Sequence, residues 1–256
     1  MRKPWLVALM VGSVVAASNL ALAAPAAQSQ DGKLQGQRGD ETVNAHTVDP
    51  TSALQPGTLS YKMKVQMGER AVDAKVHCEV KADGDTWVVT ETSESPMGTA
   101  TDSVVVTRDT LALRKRSAIH GPVNIDYDVK GGKIVGELKM NGSAQPIDVP
   151  LEGELFADLP GAHRLLATLP IAEGYTTTFR NFDVRQRKVN ATEVKVVGTE
   201  AVTVPAGTFD SYTVELTTPD NGSKATVWVA KESRKVVKSV AVSPQMGGAT
   251  ITTELE

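Results

Sequence analysis

Apolar and polar residues alternate along three separate runs of the chain. A period of two is typical of β-strands that bury one face and expose the other. The apolar positions are Leu59, Tyr61, Met63, Val65 and Met67 in the first run, Val72, Ala74, Val76, Cys78 and Val80 in the second, and Val123, Ile125, Tyr127 and Val129 in the third. The pattern therefore predicts strands that share one buried face.

Short turn signals separate these runs. The pairs are Asp83-Gly84, Gly131-Gly132, Asn141-Gly142 and Asn221-Gly222. Such pairs accept the positive φ angles of two-residue hairpin turns. Because hairpins join antiparallel neighbours, the sequence predicts an all-β meander of more than about ten strands.

One segment has a helical period. Between Pro160 and Pro170, the apolar residues Ala162, Leu165, Leu166 and Leu169 fall on one helical stripe. Asp158 is placed to cap this helix, and Pro170 to end it. The predicted fold is a half-open β-barrel or strongly curved meander sheet, with this short helix packed at the concave face.

The N-terminal residues predict export. Arg2 and Lys3 precede an apolar stretch from Leu6 to Ala23, and Ala21-Leu22-Ala23 suits a signal peptidase. A membrane anchor is the weaker interpretation, because the stretch is short and alanine-rich. We expect a cleaved signal peptide (1–23), a flexible leader (24–57) and one β-rich domain (58–256). The mature protein is then periplasmic, with no transmembrane anchor.

Composition narrows the classes of partner. The chain has 27 Lys and Arg against 30 Asp and Glu, and the mature part loses two of the basic residues, for a net charge of about −5. This balance argues against a nucleic-acid partner. Because Cys78 is the single cysteine, no internal disulfide can form.

Catalytic and metal-binding motifs are absent from the sequence, so we expect no catalytic residues, no metal and no cofactor. There is no Gly-x-Ser-x-Gly elbow. His46 falls in the leader, His77 on the polar face of a strand, His120 before a Gly-Pro turn and His163 on the helix. A hydrolase stays open as the alternative if one of the last three meets an Asp and a Ser in a cleft.

Other charged groups have plainer interpretations. Asp126 with Asp128, and Glu152 with Glu154, lie two residues apart on predicted polar faces and are expected to be solvated. The basic run 114–116 is expected to keep an edge strand soluble, or to touch lipid headgroups or a partner. Cys78 alternates inward and is expected to act as a small hydrophobe.

The stretch GTEAVTVPAGTFDSYTVELTTPDNGSKATVWVAKESRKVVK, residues 198–238, resembles the signature of the bacterial domain of unknown function 3108 family. The matching parts are the Val204–Phe209 turn, Trp228-Val229 and the run from Arg234 to Lys238, and 169–175 also looks like a family segment. The resemblance covers 58–256. It implies an exported protein with an architecture similar to the half-open barrels of periplasmic lipoprotein carriers, and by analogy an apolar ligand.

The predicted function is a non-enzymatic binding module for an apolar or lipid-like ligand, or for an envelope protein partner. The predicted ligand-binding residues are Tyr61, Met63, Trp87, Leu165, Leu166 and Trp228. A purely structural protein with a dry, closed core is a further alternative, as is the hydrolase.

Overall fold

In the computed structural model, which describes residues 54–156 and 162–256, the described chain forms fourteen strands and one short α-helix. The strands are β1 (Gly57–Met67), β2 (Arg70–Asp83), β3 (Thr86–Ser95), β4 (Gly98–Thr107), β5 (Leu113–His120), β6 (Val123–Lys130), β7 (Lys133–Met140), β8 (Ser143–Pro150), β9 (Thr176–Asp183), β10 (Lys188–Val204), β11 (Gly207–Thr218), β12 (Ser223–Ala230), β13 (Val236–Ser243) and β14 (Ala249–Leu255). The helix, α1, spans Ala162–Leu166, and Pro244–Met246 forms a 3-10 turn.

All fourteen strands belong to one antiparallel sheet, in the order β8-β7-β6-β5-β4-β3-β2-β1-β14-β13-β12-β11-β10-β9. Nearly every strand pairs with its neighbour in sequence, while β1 pairs with β14 and so joins the two ends of the described chain, with Tyr61 opposite Leu255. No ladder joins β8 to β9 within the described residues, so the sheet is curved but not closed. The predicted antiparallel, half-open architecture is confirmed.

Two of the four predicted glycine pairs form two-residue turns as expected. At Asp83-Gly84 the turn is shifted by one residue, because Asp83 pairs with Thr86 and leaves Gly84-Asp85 between the strands. Gly131-Gly132 and Asn141-Gly142 each form a two-residue turn in which both residues have positive φ. Asn221-Gly222 instead ends a longer connection, since Thr218 pairs with Ser223 and residues 219–222 lie between them. There the carbonyl of Thr218 accepts hydrogen bonds from both residues of the pair, at 3.3 and 3.0 Å, which stabilises the wider turn.

The inner faces of the two halves of the sheet meet in the interior. Tyr127 of β6 packs edge-on against Phe182 of β9, with ring centroids 5.5 Å apart. Phe156 packs against Phe179 at 4.7 Å. Each buried aromatic side chain stabilises the fold by roughly 1.5–3 kcal/mol through removal of its surface from water. This part of the interior is therefore filled by side chains.

Residues 151–156, which follow β8, lie across the opening of the sheet. The N–H of Leu113 in β5 donates to the carbonyl of Leu155 at 2.8 Å, and the N–H of Phe156 donates to the carbonyl of Arg180 in β9 at 3.0 Å. The Arg180 guanidinium donates in turn to the carbonyl of Glu152. These bonds connect β9 to β5 across the gap that the sheet leaves open.

Helix α1 is present but shorter than the apolar stripe predicts. Leu165 and Leu166 are fully buried in the core, as expected. The helix ends at Leu166, before Pro170, because the N–H and hydroxyl of Thr168 both donate to the carbonyl of Leu165, at 3.1 and 2.7 Å, and tighten the chain into a turn. The predicted cap, Asp158, lies outside the described residues.

The last four residues of the predicted leader, 54–57, are among the described residues. Leu54 is buried in the core and Gly57 already pairs with Val80 of β2. The last residues of the predicted leader therefore belong to the folded unit. The signal peptide and the rest of the leader lie outside the described residues.

Candidate functional site

A cavity of about 250 Å³ lies beside α1, at the end of the sheet where β1 and β13 begin. Three pieces of the chain surround it: the segment that leads into β1, the residues from Arg164 to Thr168, and the connection between β12 and β13. Its lining is Leu54, Gln55, Leu59, Arg164, Ala167, Thr168, Glu232, Ser233, Arg234, Lys235 and Val236. The cavity thus combines an apolar surface with several charged groups.

Arg234 holds the wall of this cavity together. Its Nη2 donates to the carbonyl of Leu169 at 2.7 Å, and its Nη1 donates to the carbonyl of Ile171 at 3.1 Å. Arg234 itself has a φ of 50°, which turns the chain between β12 and β13, and its side chain reaches the segment after α1. The arginine of the family-like run at 234–238 therefore fixes the segment after the helix to the sheet.

Arg164 reaches from α1 between the cavity and the buried inner face of β1 and β2. Burial, and to a smaller extent Glu91, raises the pKa of the Cys78 thiol to about 12, whereas Arg164 acts in the opposite direction by its charge and a hydrogen bond. Burial likewise raises the pKa of Tyr61, and Arg164 again opposes the shift. Both groups are neutral at pH 7, so neither neutralises the guanidinium.

The floor of the cavity is tied to the inner face by a hydrogen bond. The hydroxyl of Tyr61 donates to the carbonyl of Val236 at 3.1 Å, and Val236 lines the cavity. Buried tyrosine hydroxyls are costly to leave without an acceptor. The bond therefore fixes the start of β13 against β1.

Deeper inside the sheet, β4 and β5 carry a buried ion pair. Asp102 accepts two hydrogen bonds from Arg116, at 2.8 Å from Nη2 and 3.2 Å from Nε, and both side chains are almost completely buried. The Nε2 atom of His120 lies 3.5 Å from the same carboxylate. Burial alone would raise the pKa of Asp102, but Arg116 and His120 outweigh burial, so the net pKa is lowered.

The histidines separate onto different faces and do not assemble a triad among the described side chains. His77 lies on the outer face, where its Nδ1 is 3.0 Å from the Ser60 hydroxyl and exposed to solvent. His120 meets Asp102 inside, but that carboxylate is already bonded to Arg116. The side chain of His163 lies outside the described part of the structure.

Five of the predicted ligand-binding residues lie inside the sheet, namely Tyr61, Met63, Trp87, Leu165 and Leu166. None of them lines the cavity. Trp228, the sixth predicted residue, lies between the fully buried Val227 and Val229 and points to the opposite face. On that outer face its Nε1 donates to Glu200 at 2.6 Å.

The basic run 114–116 also divides between faces. Arg114 is exposed and Lys115 pairs with Asp126 at 2.9 Å on the outer face, as expected for solvated charges. Arg116, by contrast, is buried with Asp102, so the expectation that the whole run keeps an edge strand soluble is wrong. In addition, β5 lies between β4 and β6 and is not an edge strand.

Sequence reasoning missed Asp102 and Arg116, although a signal was present. Asp102 precedes Val104 and Val106 at intervals of two, so the alternation places its carboxylate on the buried face. Arg164 gave a weaker signal, because a five-residue helix does not define which flank faces the sheet.

A model of the family described as "Protein of unknown function (DUF3108)" matches residues 58–256. The chain belongs to this family. The match covers every strand from the second residue of β1 onward together with the cavity residues from Leu59, so the predicted resemblance is confirmed.

Three solved structures are similar to the chain at low identity. A β-barrel-like protein of domain of unknown function DUF1849 from Brucella abortus is 13% identical, covers 83% of this chain and 98% of its own, and has a TM-score of 0.49. The hypothetical lipoprotein YmcC from Escherichia coli is 11% identical, covers 87% of this chain and 98% of its own, and has a TM-score of 0.35. A DUF1329 family protein from Desulfovibrio piger is 13% identical, covers 78% of this chain and 82% of its own, and has a TM-score of 0.28. At these TM-scores the likenesses carry no conclusion about function.

No curated protein matches the chain. Within 54–156 and 162–256, no helix has the length and apolar character needed to cross a bilayer. The same residues bring together no group of three or more His, Cys, Asp or Glu side chains suited to a metal ion.

Proposed function

We propose that this protein is an exported, non-enzymatic binding module that holds a small ligand with an apolar body in the cavity beside α1. The cavity itself carries the proposal: Leu54, Leu59, Ala167 and Val236 supply apolar lining, and charged side chains complete it. Ligand sites in proteins are mostly apolar with a few placed polar groups. This combination suits a ligand with one apolar and one polar part.

The size of the cavity limits the ligand. Its 250 Å³ lies just below the roughly 300–1,000 Å³ of typical small-molecule sites. A small molecule therefore fits as a whole, whereas a longer lipid-like ligand would place only one end there. The deep interior offers no comparable room where Tyr127 packs against Phe182, because a ligand would have to displace these rings.

In this proposal, the predicted binding residues Tyr61, Leu165 and Leu166 support the residues that line the cavity. Tyr61 fixes the floor through its bond to the Val236 carbonyl. Leu165 and Leu166 anchor α1 in the core, so that Arg164 and Ala167 are presented to the cavity. In this proposal they position the lining and do not touch the ligand.

Edge pairing with a protein partner is less favoured by the chemistry of β8. This edge strand contains Pro146 and ends at Pro150, which have no backbone N–H to donate. Proline on an edge strand is a common protection against pairing with another chain. The cavity is therefore the better candidate for binding.

Export is proposed from the N-terminal pattern of Arg2 and Lys3 followed by the apolar stretch to Ala23. We expect the chain, expressed in a Gram-negative host, to appear in the periplasmic fraction with Ala24 as its first residue. Fractionation and N-terminal sequencing measure this. Uncleaved chain in the cytoplasm would contradict the proposed export.

Ligand binding is tested by blocking the cavity. Ala167 lines it and is buried, so Ala167→Leu should fill part of the space, whereas Ala144→Leu on the exposed β8 is the matched control. We expect native mass spectrometry of protein purified from cells to detect a small co-purified molecule, and expect the signal to fall at least about tenfold in Ala167→Leu only. If hexan-1-ol added to ligand-free protein perturbs no amide resonance of residues 164–168 or 232–236, the proposed cavity does not bind.

A further inference from the structure

We infer that the ligand of this cavity ends in an anionic group, a carboxylate or a phosphate, that pairs with Arg164. The inference rests on the proposed function, since it concerns the same cavity, and it adds the chemical class of the ligand. The observation that carries it is a guanidinium that lines the cavity while one of its nitrogens has no acceptor among the residues that the structure describes.

The Nη1 atom of Arg164 is enclosed, with almost no surface exposed to water, and no acceptor lies within hydrogen-bond distance among the described residues. A guanidinium has five N–H donors and no acceptor, and it stays charged at any physiological pH. A buried donor without an acceptor is destabilising, and a buried charge without a partner more so. An anionic oxygen in the cavity would satisfy both requirements.

Two other arginines of the fold show the contrast. Arg116 is also directed inward, and a carboxylate, that of Asp102, accepts two of its hydrogen bonds. Arg234 lines the same cavity, but backbone carbonyls of Leu169 and Ile171 accept from its nitrogens. Around Arg164 lie the neutral thiol of Cys78, which is a weak acceptor, and the carboxylate of Glu91, whose charge acts on the same thiol; neither accepts a hydrogen bond from Nη1 of Arg164.

The rest of the rim agrees with an anionic end group. Exposed Lys235 adds a further positive charge at the cavity, and exposed Glu232 is the one carboxylate among the lining residues that the structure describes. Three cationic side chains against one carboxylate favour a negatively charged ligand by simple attraction. Arg164 and Arg234 are both partly enclosed, where attraction is screened less by salt, but the nitrogens of Arg234 already donate to backbone carbonyls.

The apolar part of the ligand is short or extends outward. At roughly 30 Å³ per water-sized group, the cavity holds about eight heavy atoms. A six-carbon acid has this size. We therefore choose hexanoate as the probe, with hexanamide as its neutral counterpart of the same shape, and hexyl phosphate to distinguish a phosphate end group from a carboxylate.

The experiment measures dissociation constants at pH 7 by calorimetry or by amide shifts, with protein freed of bound ligand. We expect hexanoate to bind at least about tenfold more tightly than hexanamide, since hydrogen bonds to charged groups have this effect. Arg164→Gln should raise the dissociation constant of hexanoate roughly 10- to 100-fold and change that of hexanamide by less than about twofold. The hexanoate affinity of Arg164→Lys should lie between those of the wild type and Arg164→Gln, because lysine keeps the positive charge but lacks the planar guanidinium. Arg70→Gln is the control and should change neither affinity, because Arg70 is exposed at the start of β2, opposite Met67 at the other end of the β1–β2 hairpin from the cavity.

Lys235→Gln provides a second test if Arg164→Gln fails to fold, because Lys235 is exposed. It should weaken hexanoate about two- to fivefold, and less as salt is added. Tighter binding of hexyl phosphate than of hexanoate would support the inference and assign the ligand to the phosphate class, and the reverse would assign it to the carboxylates.

Equal affinity for hexanoate and hexanamide, with no effect of Arg164→Gln or Lys235→Gln, would overturn the inference while the proposed function stands. If none of the three probes binds the wild-type protein, the proposed function itself fails, and the anionic ligand with it.

Discussion

Two parts of the inner face of the sheet bury different kinds of side chain. Around β6 and β9, Tyr127 and Phe182 fill the interior with aromatic rings that touch across the sheet. Around β4 and β5, the same face carries the ion pair of Asp102 with Arg116, and His120 beside it. The aromatic part gains from removal of apolar surface from water, whereas the ionic part must recover the cost of desolvating two charges.

The comparison explains why the cavity is the candidate site. Aromatic packing closes one part of the interior, and mutual pairing neutralises the charges of another. Beside α1 neither condition holds, because apolar side chains surround empty space and Arg164 has an Nη1 without an acceptor among the described residues. A ligand in this cavity would therefore supply the apolar contacts and the hydrogen-bond acceptor that the described residues do not provide there.

The largest effect is expected from the aromatic contact. Phe182→Ala removes a fully buried ring from the Tyr127 contact and should lower the free energy of unfolding by about 3–5 kcal/mol. Urea denaturation followed by circular dichroism measures this. Phe209→Ala, whose ring is partly exposed in β11, is the control and should cost less than half as much. Equal losses would mean that the two halves of the sheet do not depend on this contact.

The ion pair should come next. Asp102→Asn leaves the buried Arg116 charge without its carboxylate and should destabilise the protein by about 3 kcal/mol. The same denaturation measurement applies. Replacing both partners, Asp102→Leu with Arg116→Met, should recover most of the loss, because no buried charge then lacks a partner. A double variant as unstable as Asp102→Asn would contradict this account of the ionic part.

Lowering the pH should gradually remove the stabilisation that the Asp102 carboxylate provides. The pKa of Asp102 is lowered in the folded protein, so its stabilisation is present above the ordinary carboxyl pKa of about 4 and is lost as pH falls through the folded pKa. The difference in unfolding free energy between wild type and Asp102→Asn should therefore be constant from pH 7 to about pH 5 and shrink below about pH 4. A difference that is unchanged down to pH 2 would show that the carboxylate charge is not the cause.

The smallest effect is expected on the outer face. Trp228 donates to Glu200, and this hydrogen bond is the main cause of the lowered pKa of that carboxyl. Trp228→Phe should raise the pKa of Glu200 toward its ordinary value and change the free energy of unfolding by less than about 1 kcal/mol. Side-chain NMR titration measures the pKa. A large loss of stability would indicate that Trp228 supports the core after all.

The strands were predictable because their signal is local. Alternation and glycine turns specify hairpins, and a chain of hairpins leaves little choice but an antiparallel meander. The orientation of Trp228 was not predictable in this way, because it stands in an unbroken apolar run between Val227 and Val229. This run has no polar neighbours that would set the phase of the alternation, and the register with β11 and β13 places Trp228 on the outer face.

The candidate site was harder to predict because it depends on contacts between distant segments. Leu54, Arg164 and Val236 come from three parts of the chain that are neighbours only after folding. The same holds for Arg234, whose acceptors at Leu169 and Ile171 are more than sixty residues away. Alternation carries no information on such contacts, although the phase of β4 does place Asp102 inside.

The central claim is that the cavity beside α1 is where a ligand binds. A crystal structure of the protein grown with hexanoate tests this most directly. We predict that the carboxylate lies within hydrogen-bond distance of the Arg164 guanidinium and that the alkyl chain lies between Leu54, Ala167 and Val236. Hexanoate found among the aromatic rings near Tyr127, or absent from the cavity at saturating concentration, would contradict the claim.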